Sequence, residues 1–433
     1  MQKLKIYTLS LGCPKNRVDT EKILGGLGEA WEPANKPERA DLVLVNTCAF
    51  IAPAVEESLQ EIIALGEVIK GRGKKTRPLL AVTGCLVARY GRKKLYSLLP
   101  EVDWFVDIPR QAELCSLVRE RFKLQTVEKE QVLTTGPGYG YVMLSDGCNK
   151  KCSFCTIPSL RGRLRSRPRE QIAKDAQALL DQGAKELVLV AQDTTAYGRD
   201  LGEKDGLVRV LDRLLRLTGL KRLRLMYMYP SGITRELLDF MAWAGERMLP
   251  YFDVPLQHAD PHILRRMGRP FALDPQEVVD LIRGRVPGAA LRTTMIVGFP
   301  GEKPRHFDRL IAFAARNRFH SLGAFPYYPE EGTRAAGFPE QVKSKEKQKR
   351  LEELMAVQRS ISTEHLRDYE DREVEVLVDE PHPEWPGLHT GRTWFQAPEV
   401  DGITYISGPD VIPGKILRAI VQEAKDYDLV AMT

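Results

Sequence analysis

Tyr141-Val-Met-Leu-Ser-Asp-Gly-Cys148-Asn-Lys-Lys-Cys152-Ser-Phe-Cys155 is a short apolar run followed by three cysteines in the spacing CxxxCxxC. The run reads as a strand, so the cysteines fall on the loop at its carboxyl end. No fourth cysteine lies nearby. Iron–sulfur clusters are normally held by four thiolates, and a set of three leaves one iron open to another ligand, which points to catalysis rather than electron storage. Three cysteines with a distant histidine would also serve a zinc site. The residues alone leave both open.

Downstream, strand-like runs recur at Leu187 to Ala191, Leu223 to Met228, Phe252 to Pro255, Leu291 to Val297 and Ser321 to Tyr327, with helical patterns between most of them. With the first run they make six βα-type units, which predicts a (β/α)6 partial barrel with its chemistry at the carboxyl ends of the strands. Val190-Ala-Gln192-Asp193-Thr-Thr lies at the end of the second of these strands, where a polar turn is the ordinary alternative to a ligand contact. A long charged helix is expected over Lys343 to Tyr369, with apolar positions at Leu351, Leu354, Met355 and Val357, leading across to another domain. Beyond it, Glu373 to Val378, Ile403 to Ile406 and Lys415 to Val421 alternate or are β-rich between Gly/Pro/Asp turns, the pattern of a small antiparallel barrel.

Upstream, Ile6 to Leu11, Asp41 to Val45 and Leu79 to Val82 are each followed by a helical pattern, at Arg17 to Leu27, Ala54 to Ile69 and Tyr90 to Leu99. That alternation predicts an open parallel α/β sheet. Cys13, Cys48 and Cys85 each sit just past one of these strands, 35 and then 37 residues apart. Loops at the carboxyl ends of parallel strands share one edge, so three thiols are expected to converge there. Cys115 breaks the register on an apolar helical pattern and reads as core. A Gly/Pro/Thr-rich passage at Thr134 to Gly140 reads as a linker.

The 433 residues are 43% hydrophobic and 28% charged, without an apolar stretch long enough to span a bilayer, so a water-soluble protein with no membrane partner is expected. Seven cysteines, an odd number spread over a long chain, argue against a disulfide framework and for a reducing, cytoplasmic compartment. The net charge of +6 hides an asymmetry: from Asp371 onward twelve Asp/Glu face five Lys/Arg, a net of −7.

The CxxxCxxC triplet with Phe154 before its last cysteine resembles the radical S-adenosylmethionine (SAM) enzymes. Taken with the three strand-end cysteines, the partial barrel and the β-rich tail, the whole chain resembles their methylthiotransferase family, which inserts a methylthio group into an unactivated C–H bond. The resemblance implies three domains: a methylthiotransferase N-terminal domain over 1–123, a radical SAM core over 134–366 and a TRAM-like substrate-binding domain over 367–433. It implies two 4Fe-4S clusters, an auxiliary one on Cys13, Cys48 and Cys85 and a SAM-cleaving one on Cys148, Cys152 and Cys155. An external electron donor is required. A C–H bond without an acidic proton resists a general base, so a radical removes the hydrogen atom. By resemblance one SAM methylates sulfur on the auxiliary cluster while another yields the 5′-deoxyadenosyl radical. Gln192 and Asp193 correspond to positions near the SAM amino group, and His258, in Val254-Pro-Leu-Gln-His, is a candidate SAM or substrate contact, with a structural role as its alternative. Lys303 stands where the family commonly has Thr, which puts a polar ligand contact there in doubt. The alternating Arg161, Arg163, Arg165, Arg167 and Arg169 are candidates for anion binding, with at least three expected to face solvent.

Ser10-Leu-Gly-Cys13-Pro-Lys-Asn-Arg-Val-Asp and Ala191-Gln-Asp-Thr resemble the branch that modifies the β-carbon of an aspartate in small-subunit ribosomal protein twelve. The branch that modifies adenosine in tRNA typically has Gly-Cys-Gln-Met-Asn at the first site. An RNA-gripping tail needs Lys and Arg, whereas an acidic one complements a basic ribosomal protein; tRNA is accordingly disfavoured. The alternatives are a tRNA adenosine methylthiotransferase and, among non-enzymes, an iron–sulfur electron carrier or a zinc-stabilised RNA-binding protein.

Overall fold

The run Leu42–Thr47 is buried along its whole length, as a strand covered on both faces must be. In the computed structural model, which describes residues 3–70, 77–125, 127–269 and 274–433, it is the third of five parallel strands. These are β1 (Leu4–Ser10), β2 (Trp31–Pro33), β3 (Leu42–Thr47), β4 (Leu79–Gly84) and β5 (Trp104–Val106), in the order β2-β1-β3-β4-β5. The short edge strands β2 and β5 were not expected. Leu42 and Leu44 pack under the helices Pro14–Gly26 and Gln111–Phe122 with Ile23, Leu24, Leu114 and Cys115. Val43 and Val45 point the other way, against Val55, Ile62 and Leu65 of the helix Ala52–Lys70. Each buried valine contributes roughly 1.5–3 kcal/mol relative to exposure. The single helix expected over Tyr90 to Leu99 is two, Cys85–Tyr90 and Arg92–Leu98, interrupted by Gly91 at φ +73°.

Contacts divide the chain into two units. The first takes Met1–Thr134 together with Asp146–Asn149 and Cys155–Arg165; the second takes Thr135–Ser145, Lys150–Phe154 and Ser166–Thr433. The short helix Ile157–Arg161 therefore belongs with the N-terminal sheet, and Leu160 packs in its core beside Leu86 and Val45.

In the second unit, β6 (Tyr139–Met143), β7 (Glu186–Val190), β8 (Arg222–Leu225), β9 (Tyr251–Asp253), β10 (Ala290–Val297) and β11 (Ser321–Pro326) pair in parallel as two three-stranded sheets, β8-β7-β6 and β9-β10-β11. Backbone bonds from Leu223 N to Arg247 O (2.7 Å), Leu249 N to Leu223 O (2.9 Å) and Met228 N to Asp253 O (2.9 Å) join β8 to the β9 side, so the six strands run on as one open array.

The helix Ser344–Arg367 buries a stripe that includes Lys347, Arg350, Leu354 and Gln358. Of the four apolar positions expected on it, only Leu354 is fully buried. The polar members of the stripe bond inward: Lys347 Nζ donates to Tyr327 O (2.6 Å), and Gln358 Nε2 donates to Phe319 O (2.9 Å). The tail forms a closed barrel of β12 (Glu373–Pro381), β13 (Leu388–Arg392), β14 (Thr404–Ser407), β15 (Ile416–Ala424) and β16 (Leu429–Met432), ordered β12-β13-β14-β16-β15. Four pairings are antiparallel; β14 and β16 close it in parallel.

This barrel docks on the amino ends of the six-strand array. Glu186, the first residue of β7, is fully buried and takes Arg224 Nε at 2.6 Å and the barrel's Arg392 at 3.0 Å. Arg392 also pairs with Asp379 at 2.7 Å, and Tyr251 donates its hydroxyl to Asp401 at 2.6 Å. Burial alone would raise Glu186, but the guanidiniums of Arg224, Arg392 and Arg222 outweigh it and hold the carboxyl at about 2.

Candidate active site

The loops after β1, β3 and β4 carry Cys13, Cys48 and Cys85, and two of these cysteines follow a glycine with positive φ. A Cβ on Gly12 (φ +84°) would lie 2.4 Å from Cys48 Cβ and 2.7 Å from its Sγ, and one on Gly84 (φ +101°) would lie 2.4 Å from Asn46 Oδ1. Only glycine admits both the backbone angle and the close approach. A belt of buried polar side chains knits the loops. Asn16 Nδ2 donates to Leu11 O (2.8 Å) and Thr47 O (3.0 Å), Asn46 Nδ2 to Asn16 O (2.8 Å), and Thr47 Oγ1 to Thr83 O (2.6 Å). Ser58 Oγ donates to Cys48 O at 2.8 Å and accepts its N–H at 3.2 Å. The three thiols are free and near enough to act on one another electrostatically. Burial, with the neighbouring Cys13 and Cys85 adding to it, pushes Cys48 up to about 12. Burial raises Cys85 too, opposed by the attraction of and a hydrogen bond from Arg161.

Arg161 was unforeseen in this place. Its side chain is 1% exposed and donates to Asn16 Oδ1 at 2.7 Å, Asp19 Oδ2 at 2.8 Å and Asp146 Oδ1 at 3.3 Å. Of the five alternating arginines only Arg163 and Arg165 are exposed. Arg167 pairs with Asp175 at 2.7 Å and Arg169 with Glu203 at 3.3 Å. An alternating charge run normally marks a solvated face, and only a wide spacing of acidic partners elsewhere in the chain hints otherwise.

The CxxxCxxC loop is divided between the units, and each part is anchored within its own. In the first, Cys148 N donates to Gly162 O at 3.1 Å and Leu164 N to Asn149 Oδ1 at 3.1 Å. In the second, Ser153 N donates to Met267 O at 2.8 Å, Ser153 O accepts from Ala335 N at 2.8 Å, and the Phe154 ring meets Phe299 edge-on with centroids 6.4 Å apart. Cys148, Cys152 and Cys155 are all partly exposed, and none is in a disulfide. Around Cys152 stand residues the sequence reading did not single out. Arg269 approaches its Sγ at 3.8 Å, and the Tyr229 ring lies between Lys150 Nζ (3.9 Å from the centroid) and Arg269 Cζ (4.4 Å). Burial lifts the Tyr229 hydroxyl to about 12; Arg269 opposes the rise, and Cys152 and Asp193 add to it. The signal available in sequence was position: Tyr229 lies just past β8, and Lys150 inside the cysteine motif.

Gln192 and Asp193 do lie at the carboxyl end of β7. Asp193 is 2% exposed; Oδ1 accepts from Thr195 Oγ1 at 2.6 Å, and Oδ2 faces Lys150 Nζ at 3.6 Å. His258 is fully buried: Nδ1 accepts the Asp260 N–H at 2.9 Å, so the ring proton sits on Nε2, 3.5 Å from Glu302 Oε2. Glu302 in turn accepts from Gly298 N at 2.9 Å and Phe299 N at 3.2 Å and pairs with Arg350 at 2.8 Å. Against the effect of burial, His258, the Gly298 N–H and Arg350 hold Glu302 below its usual range. Lys303 points to Glu340 at 3.8 Å. Gln257 takes a left-handed φ of +72°, and its buried Oε1 has no hydrogen-bond partner.

Among the described residues no group of three His, Cys, Asp or Glu is gathered tightly enough for a single metal ion. A cluster, with iron and sulfide between its ligands, spreads them wider. Two sets of three soft thiols suit iron–sulfur binding.

Three segments match family models: residues 142–314 the Radical SAM superfamily, 5–107 the Uncharacterized protein family UPF0004, and 372–433 the TRAM domain. Ribosomal protein uS12 methylthiotransferase RimO of Nitratidesulfovibrio vulgaris (strain DP4) is 54% identical over 430 residues, covering 99% of this chain and 100% of the relative. The chain belongs to the RimO family. The RimO of Aquifex aeolicus (strain VF5) is 41% identical over 98% of this chain and 96% of its own. Membership makes the protein a SAM-dependent transferase of the radical SAM superfamily. Among solved structures, the radical S-adenosylmethionine methyltransferase TsrM from Kitasatospora setae, with cobalamin and a [4Fe-4S] cluster bound, shares the fold at TM-score 0.54 and 15% identity, covering 90% of this chain and 77% of that one. Among the described residues, no helix is long and apolar enough to cross a membrane.

Proposed function

We propose that the chain adds a methylthio group to the β-carbon of an aspartate in ribosomal protein uS12, using SAM and two 4Fe-4S clusters. The observation that carries this reading is the match over the full length to relatives named for that activity. Cys148, Cys152 and Cys155 would hold one cluster, with an open iron for SAM, and Cys13, Cys48 and Cys85 would hold the other. When bound, these groups supply the radical that removes hydrogen and the sulfur that replaces it, with electrons from an external donor.

The chain's own residues do the rest. Asp193, kept as an acceptor by Thr195 and Lys150, receives the SAM amino group together with Gln192. Arg269 and Lys150 bring positive charge beside Cys152 and would serve the SAM carboxylate there. His258 acts beside Glu302: its Nε2 lies 3.5 Å from the carboxylate that holds the Gly298-Phe299 backbone, and so supports the loop after β10. The acidic C-terminal barrel offers a basic partner complementary charge. Transfer RNA is not the substrate, and the reaction takes place in the cytoplasm.

The test is anaerobic reconstitution with SAM and reductant, offering separately a uS12 peptide spanning the target aspartate and an adenosine-containing tRNA stem-loop. Mass spectrometry is expected to find the methylthio group on the peptide. Its appearance on the RNA alone overturns the assignment.

A further inference from the structure

Arg161 is a buried cation with three polar partners on two separate segments, and the reaction described above has not used it. Asp19 and Asn16 belong to the helix that Cys13 caps; Asp146 stands two residues before Cys148. Asn16 in turn donates to Leu11 O and Thr47 O, in the chain just before Cys13 and Cys48, so Arg161 reaches these loops through it. Arginine suits such a position because its planar fork serves several acceptors at once; a lysine supplies the same charge with fewer bonds. The cost of burying it is offset only if opposite charge stays nearby. Asp19 and Asp146 supply part of that charge, and burial raises the Asp19 carboxyl towards neutrality despite Arg161.

We infer that Arg161 is a positioning residue of the strand-end cysteine site, holding the helix that Cys13 caps and the turn into Cys148 in one register and lending fixed positive charge to whatever anionic group the thiolates bind. This rests on the reading of Cys13, Cys48 and Cys85 as cluster ligands. A positive charge held beside a cluster favours its reduced form, which carries one more negative charge, so Arg161 raises the reduction potential. Because Arg161 also sits on the helix that follows the CxxxCxxC motif, the same side chain ties the flanks of both cysteine sets to a single point.

The experiment uses the full chain with Cys148, Cys152 and Cys155 all replaced by Ala, so that one cluster is observed. The Arg161 form, Arg161→Lys, Arg161→Gln and Arg161→Met are reconstituted anaerobically, and iron content and an EPR-monitored redox titration are recorded. Arg161→Lys is expected to retain the cluster with a potential close to that of the Arg161 form. In Arg161→Gln the reduction equilibrium is expected to fall about tenfold, a shift of about 59 mV to more negative potential. Arg161→Met, similar in volume and uncharged, is expected to do the same and serves if the Gln form does not fold. Cluster loss confined to the two uncharged forms also supports the role. Iron retained in all forms at one potential overturns this inference alone, as does equal loss in the Lys and uncharged forms. No iron in the Arg161 form overturns the cluster reading itself, and the inference with it.

Discussion

The two ends of the six-strand array in the second unit are built on opposite plans. At the amino ends charge meets charge: Glu186 is shared by Arg224 and Arg392, Arg392 is shared by Glu186 and Asp379, and Arg292 lies between Asp253 (3.1 Å) and Asp401 (3.2 Å). At the carboxyl ends groups are held in place with capacity left over. Asp193 Oδ2 has a lysine only at 3.6 Å, Gln257 Oε1 is buried without a partner, and Tyr229 lies between two cations. A buried polar atom left short of partners is costly; the amino end carries such atoms too, in Arg224 Nη2 and Gln396 Nε2, but there they lie among closed ion pairs, whereas those at the carboxyl end lie beside the proposed SAM site. One end of the same strands is closed by ion pairs; the other carries the polar groups proposed for chemistry, as in complete βα barrels.

The comparison breaks first at the carboxyl end. Cys152→Ala is expected to abolish reductive SAM cleavage while leaving the thermal unfolding of the metal-free chain nearly unchanged; cleavage measured by product chromatography at an undiminished rate would remove the loop from the site. Cys13→Ala, in contrast, is expected to spare SAM cleavage and abolish methylthio transfer.

At the amino end, Glu186→Ala leaves Arg224 buried without its carboxylate and Arg392 with Asp379 alone, and is expected to cost about 3–5 kcal/mol in urea unfolding. The pH dependence has a definite sign. Glu186 titrates at about 2 in the folded chain, below its unfolded value near 4.3, so its contribution is complete above the unfolded value and is lost as pH falls through about 2. Stability measured between those two values should therefore drop more steeply in the wild type than in Glu186→Gln.

His320, just before β11, lies at the same end and stacks on His365 with centroids 4.8 Å apart. Burial first, then His365 and Arg283, lower its pKa to about 4. The unfolded chain binds the proton nearer 6.5, so stability is intact above that value and falls on acidification, by up to about 3 kcal/mol on reaching pH 4. His320→Gln should flatten that slope in thermal melts. The smallest effect is expected from Asp193→Asn: about a tenfold rise in the SAM requirement, with unfolding unchanged. A shift in stability without any change in SAM dependence would class Asp193 with the amino-end network instead.

Much of this layout could be read from the chain. Hydrophobic runs of period two or continuous burial located most of the strands, and cysteines one βα unit apart marked a shared edge. What stayed hidden was polar burial. Glu186, Arg222 and Arg224 stand in strands as charged residues do on exposed faces, and only a partner about 200 residues away, Arg392, completes the burial of the first of them. Asn16, Asn46, Thr47 and Thr83 look like ordinary turn formers until their bonds across the cysteine loops are seen. The stripe of Lys347, Arg350 and Gln358 defeated an apolar-face argument for the same reason. Short strands such as Leu388–Arg392, with His, Thr and Gly in it, carry too little β signal to stand out.

The chain passes between the two units five times, at 134/135, 145/146, 149/150, 154/155 and 165/166. Neither unit is therefore a cassette that recombination could lift out whole. A gene fragment ending near residue 134 would encode the five-stranded sheet without Leu160, which fills part of its core, and without Arg161, which bonds Asn16 and Asp19 on the helix that Cys13 caps. Shuffling at that boundary would have to carry a second, internal exon-like piece reaching from Asp146 to Arg165, so the N-terminal sheet and the CxxxCxxC loop are expected to be inherited together or not at all.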